Sequence, residues 1–176
     1  AINFGLMYGM SAFRLGRELS IGRDQAQAYM DEYFGRMPKV QTWIEDTKDA
    51  CKADGYVTTV FGRRRLIPEI YSKTFSERSA GEREAVNTRV QGTAADLIKL
   101  AMIDVQKALT EAGMKTRMLL QVHDELLFEA PDDEVDAAKA LIRERMEQVG
   151  AHADPALKVK LAVNVATGST WNEAHG

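Results

Sequence analysis

Apolar and polar positions along the 176-residue chain recur with two different periods. Spacings of three and four predict helices, whereas alternation or short β-branched runs predict strands. The opening stretch, residues 1–19, mixes small residues with aromatics and predicts a helix broken near Gly9 to Ser11. Ala26, Tyr29, Met30 and Tyr33 place a second helix over residues 23–34. Pro38 suits the first turn of a third helix, which runs to about residue 53 and stops at Asp54-Gly55. The run YVTTVFG has the β-branched and aromatic residues of a strand or extended arm. Residues 63–79, with Pro68, predict a loop containing short helical turns.

The second half changes character. Val86, Val90, Ala94, Leu97, Ile98, Ala101, Val105 and Leu109 form the apolar stripe of a long helix over residues 77–112, and Gly113 terminates it. RMLLQV and ELLFEA then read as two apolar strands joined by a tight His-Asp turn. Pro131-Asp132-Asp133 opens a further helix to Val149, its acids favourably placed at the positive end of the dipole. The alternating stretch LKVKLAVNVA predicts a closing strand. The fold class is therefore α+β: a nearly all-helical first part, then helix, hairpin, helix and strand, with a boundary near residue 76.

Composition narrows the class. A hydrophobic share of 45% with 28% charged residues is that of a globular chain. No apolar run approaches the roughly 20 residues that cross a bilayer, so no membrane partner is expected. The start carries no basic segment or cleavage site of a secretory signal, which points to a cytoplasmic protein. One cysteine, Cys51, excludes an internal disulfide framework, and with three scattered histidines it excludes a Cys/His zinc site. The net charge of −3 hides an uneven distribution. Residues 61–91 hold seven basic residues (Arg63, Arg64, Arg65, Lys73, Arg78, Arg83, Arg89) against four acidic, while residues 124–136 hold seven acidic and none basic. Phosphate binding beside metal-binding carboxylates needs such a pattern, and two solvated faces also produce it.

Within that distribution the hairpin tip is the strongest local signal. His123, Asp124 and Glu125 sit between apolar strands, where two rigidly held carboxylates suit Mg2+, an ion that takes one or two carboxylates beside water and phosphate oxygens. A solvated polar turn has the same spacing. Arg83, Asn87 and Gln91 recur every four residues and make one polar stripe along the long helix. Amide donors there suit the minor-groove acceptors that all base pairs share, and an ordinary solvated face has the same pattern. Gly92 beside the stripe permits close backbone approach. Phe4 and Tyr8, also four apart and flanked by Gly5 and Gly9, suit either a base-stacking platform or a core pair. The arginines at 63–65 suit phosphates or solvent.

Taken in order, NFGLMYGMSAF, GYVTTVFGRRRLIPEI, NTRVQGTAADLIK, QVHDELLFE and TGSTWNEAH resemble the C-terminal part of the family A DNA polymerases, the bacterial DNA polymerase I family. The resemblance covers essentially every residue. It implies template-directed addition of deoxynucleotides to a primer 3′ end, with residues 1–76 part of the fingers and 77–176 part of the palm. By the same resemblance Asp124 is the metal-ligand aspartate of motif C, and Glu125 is its adjacent, less critical acid. Phe4 and Tyr8 match motif B aromatics near the incoming nucleotide and templating base. Arg83, Asn87 and Gln91 match residues touching primer-template near the newest pair, and His123 matches a residue beside the primer terminus.

The sequence also departs from the family pattern. The motif B lysine would fall one residue before Ala1, and the upstream arginine and all of motif A, with its second metal-binding aspartate, are not in the sequence. Two-metal phosphoryl transfer clamps both the attacking and the leaving oxygen. The expectation is a polymerase fragment, inactive alone, whose partners are primer-template DNA, deoxynucleoside triphosphates and the upstream remainder of the polymerase chain. Two rival readings are a non-catalytic duplex nucleic-acid-binding module and a relative of the phage single-subunit RNA polymerases. The Glu after the motif C Asp favours DNA over the latter.

Overall fold

The computed structural model describes residues 2–175. Helix α1 (Ile2–Met7) ends in a turn at Gly9, whose φ of +82° suits a residue without a Cβ. Helix α2 (Ala12–Leu19) starts at Ser11, whose hydroxyl accepts from the Arg14 amide at 3.3 Å. The break expected near Gly9 to Ser11 is therefore present, with a glycine turn and a serine cap as its causes. Helix α3 (Arg23–Arg36) follows. Helix α4 (Pro38–Asp54) has proline in its first turn and left-handed Gly55 at its end, φ +77°. Leu6, Ala12, Leu15 and Ala26 bury together between the first three helices.

Strand β1 (Tyr56–Thr58) pairs antiparallel with β2 (Arg64–Leu66), Tyr56 opposite Leu66 and Thr58 opposite Arg64. The loop expected over residues 63–79 thus begins with a strand. All three β2 side chains are exposed, so no alternation announces it. A 3₁₀ turn at Pro68–Tyr71 supplies the short helical segment, and α5 (Phe75–Glu111) begins soon after. Cys51, Val57, Ile67, Ile70 and Ala85 form the core under this hairpin, and burial pushes the Cys51 thiol pKa up.

The chain forms two compact units, residues 1–92 and 93–176, and the division between them falls inside α5. In the second unit β3 (Arg117–Val122) pairs antiparallel with β4 (Glu125–Glu129), with a register shift between Met118 and Leu120. Helix α6 (Val135–His152) packs Ala138 and Ile142 onto Val105 and Leu109 of α5, with Met118 and Phe128 beside them. Short α7 (Trp171–His175) lies near the chain end.

Two expectations for this unit are corrected. Residues 131–133 form a turn before α6 rather than its first residues. The cause is Glu134, whose carboxylate is drawn back to accept from the amides of Lys115 and Thr116 and from the Thr116 hydroxyl, at 2.8–2.9 Å. The closing C-terminal strand over residues 157–166 is not a strand. Leu161, Val163 and Val165 are half-buried between exposed neighbours, so the alternation is real. Alternation reports an extended backbone with one covered face, and a strand needs a ladder partner as well. Here the Val163 amide donates to the Glu147 carboxylate of α6 at 3.1 Å, and the Leu157 amide to the Gly150 carbonyl at 2.7 Å.

Candidate functional site

The β3–β4 connection is as short as a hairpin allows. Val122 pairs with Glu125, leaving only His123 and Asp124 in the turn. His123 adopts φ +54°, the positive value that two-residue hairpin loops require at their first position. The Gln121 side-chain amide donates to the His123 carbonyl and fastens the turn. Asp124 is exposed at the tip, and Glu125, the first residue of β4, is exposed and pairs with His175 Nδ1 at 3.2 Å. The adjacent acids are thus held differently: one outside the ladder, the other within it and engaged by α7.

The donor set decides which metal fits. Among the described residues, no group of three or more His, Cys, Asp and Glu side chains is placed to hold an ion. Those described residues therefore build no all-protein zinc or calcium cage. Two neighbouring exposed carboxylates fit magnesium, which keeps water and phosphate oxygens for most of its octahedron.

The polar stripe lies on α5 in the first unit. Arg83 is exposed and donates from Nη1 to Ser79 Oγ at 2.8 Å. Asn87 is half-buried, and its Oδ1 atom is buried with no hydrogen-bond partner among the described residues. Gln91 is exposed. A Cβ on Gly9 would stand 3.1 Å from Arg83 Cγ, so the turn carrying half-buried Tyr8 packs against the Arg83 end of the stripe. Gly9 and Arg83, far apart in sequence, are therefore neighbours. Phe4 lies on α1, but its side chain is outside the described residues. At the other end, a Cβ on Gly92 would stand 2.8 Å from Thr59 Cγ2, so what approaches Gly92 closely here is a side-chain methyl.

The arginine run is largely committed to the protein. Arg64 lies over the Tyr56 ring, 4.9 Å from its centroid, and Arg65 pairs with Glu84. Arg89, read in the sequence only as one member of the basic tract, has a partner that no sequence signal announced. Arg89 donates from Nη1 to Thr47 Oγ1 at 3.0 Å, and its guanidinium lies 5.6 Å from the Trp43 ring centroid. A partner 42 residues away leaves no local pattern.

Known proteins share this framework. Residues 1–173 match the model of DNA polymerase family A. DNA polymerase I of Pseudomonas aeruginosa is 46% identical over 175 residues, 99% of this chain and 19% of that protein. The thermostable DNA polymerase I of Thermus aquaticus is 49% identical over 173 residues, 98% of this chain and 20% of that protein. The chain spans about a fifth of the length of these relatives. Among solved structures, the POL domain of Pol1 from M. smegmatis, in complex with DNA primer-template and dNTP, superposes with a TM-score of 0.92 at 42% identity. That match covers 99% of this chain and 30% of the other. With the family pattern matched almost end to end and the fold shared with a polymerase domain, the chain belongs to DNA polymerase family A.

Proposed function

We propose that this chain is the part of a template-directed DNA polymerase that presents Asp124 to the reacting phosphates and the α5 stripe to the primer-template duplex. The observation that carries this reading is the exposed Asp124 at a two-residue tip fixed by the Val122–Glu125 pair. In the reaction a primer 3′-hydroxyl oxygen attacks the α-phosphorus of a deoxynucleoside triphosphate, and pyrophosphate leaves. Asp124, with Glu125 in a lesser role, would hold Mg2+, which when bound would supply positive charge to the phosphate oxygens. Tyr8 and Phe4 border the nascent base pair, Arg83, Asn87 and Gln91 contact the duplex, and His123 lies beside the primer terminus. Residues 1–76 serve as part of the fingers and 77–176 as part of the palm. The partners are primer-template DNA, deoxynucleoside triphosphates and the rest of the polymerase chain, in the cytoplasm.

The 176-residue chain alone is inactive in this reading, because it supplies a single motif C aspartate and its neighbour. The test is primer extension with magnesium, using the isolated chain and the complete polymerase that carries this segment. The isolated chain should incorporate nothing. In the complete enzyme Asp124→Asn should lower turnover at least about a hundredfold, a few kcal/mol of barrier, and Glu125→Gln should cost less. Near-normal turnover for Asp124→Asn would make the tip a structural turn and the chain a duplex-binding module.

A further inference from the structure

The stripe on α5 reads base pairs only if the helix keeps its rotation about its own axis, and the means of fixing that rotation lies on the far face. At about 100° per residue, Arg89 is roughly 200° from both Asn87 and Gln91. From there it reaches α4, donating to Thr47 Oγ1 at 3.0 Å and lying over Trp43 with its guanidinium 5.6 Å from the ring centroid. Thr47 is fully buried, and its own hydroxyl donates to the Trp43 carbonyl at 2.7 Å, so the acceptor that Arg89 meets is itself immobile. A planar fork held at once by a stack and a buried hydroxyl resists rotation better than a flexible ammonium does. The neighbouring cross-links from α5 are of another kind: Glu82 meets Lys52 at 3.2 Å and Glu84 meets Arg65, both exposed or half-exposed ion pairs. Such pairs contribute little and are weakened by salt.

We propose that Arg89 is a positioning residue for pairing discrimination: through Thr47 and Trp43 it sets the rotation of α5 that aims Asn87 and Gln91 at the duplex. The inference rests on the proposed role of the stripe. It gives the Arg89–Thr47–Trp43 cluster a share in specificity that acts through α5 and requires no contact of its own with DNA.

The test is the ratio of kcat/KM for extending matched over mismatched primer ends, in the complete polymerase that carries this segment. Arg89→Ala should lower the ratio about five- to tenfold, the worth of roughly one hydrogen bond. Thr47→Val, which keeps the buried shape and removes the acceptor, should lower it by a smaller factor. Arg89→Lys should fall between Arg89→Ala and the parent. In a Gln91→Ala background, Arg89→Ala should lower the ratio no further. An unchanged ratio in Arg89→Ala and Thr47→Val, with Gln91→Ala effective, would overturn the inference alone, as would losses that multiply in the double variant. A Gln91→Ala enzyme with an unchanged ratio would remove the role of the stripe, and this inference with it.

Discussion

The Lys115 backbone amide donates to both carboxylate oxygens of Glu134, 2.9 Å to each. With the Thr116 amide and hydroxyl also donating, the carboxylate satisfies the start of β3 from the position that precedes α6. Hydrogen bonds to the charged form, the Lys115 amide first among them, hold the Glu134 pKa below the usual glutamate value. A lowered folded-state pKa means stabilisation that is fully present above the ordinary glutamate pKa and lost as pH falls through the folded one. Thermal midpoints of parent and Glu134→Gln should therefore differ at neutral pH and converge in acid, as pH falls past the ordinary glutamate value and through the lower folded one. A gap of constant size across that range would show that the charge is not what matters.

Gln91→Ala should narrow the difference between matched and mismatched primer ends in the complete polymerase. A mismatch shifts the shared minor-groove acceptors and leaves an amide donor unpaired, a penalty of about 1–3 kcal/mol. The effect should be nearly equal for the four matched pairs, and the salt dependence of binding should hardly move, since Gln91 neutralises no phosphate. Primer-extension kinetics decide it. Equal slowing of both ends would reduce Gln91 to a general positioning contact.

Tyr8→Ser should loosen discrimination against wrong pairs, whereas Phe4→Ala should mainly raise the KM for the nucleotide. Single-nucleotide incorporation, measured with each of the four triphosphates, separates the two. Lower melting temperatures with unchanged kinetics in both variants would make the aromatics core residues only.

Gly92→Ala should destabilise the first unit despite the better helix propensity of alanine. The propensity gain is about 1 kcal/mol. The added Cβ would stand 2.8 Å from Thr59 Cγ2, and such overpacking costs about 1–3 kcal/mol. Thr59 is buried, and its hydroxyl accepts from the Arg63 amide at 3.2 Å. Thr59→Ser removes the methyl and keeps that acceptor, so the double variant should recover most of the loss in chemical denaturation. Additive losses would rule out the steric account.

The helices were legible because their ends carry local chemistry: Ser11 before α2, Pro38 opening α4, and Gly55 and Gly113 after α4 and α5. Strand β2 escaped because Arg64, Arg65 and Leu66 are all exposed, which removes the alternation that marks a half-buried strand. Residues 157–166 erred the other way. Their alternation is present, but the Val163 amide goes to Glu147 and the Leu157 amide to the Gly150 carbonyl, and no single-chain pattern records what an amide pairs with. The hairpin tip and the stripe were legible as spacing on one element. The nearness of the Tyr8 turn to Arg83, and of Arg89 to Thr47, depends on packing between helices distant in sequence.

A backbone held at φ +54° narrows the alphabet open to position 123. Asparagine, aspartate, glycine and histidine tolerate that conformation, and valine or isoleucine there would be strained. The neighbouring ladder narrows length as well as identity. One inserted residue between Val122 and Glu125 would replace the two-residue turn with a type that needs other backbone angles, and a register slip would send Glu125 to the opposite face of the hairpin. Codon changes at the tip are thus filtered for geometry before any question of charge arises. The exposed turn at Asp132 and Asp133, with no ladder closing around it, is a place in this unit where sequence and length can drift.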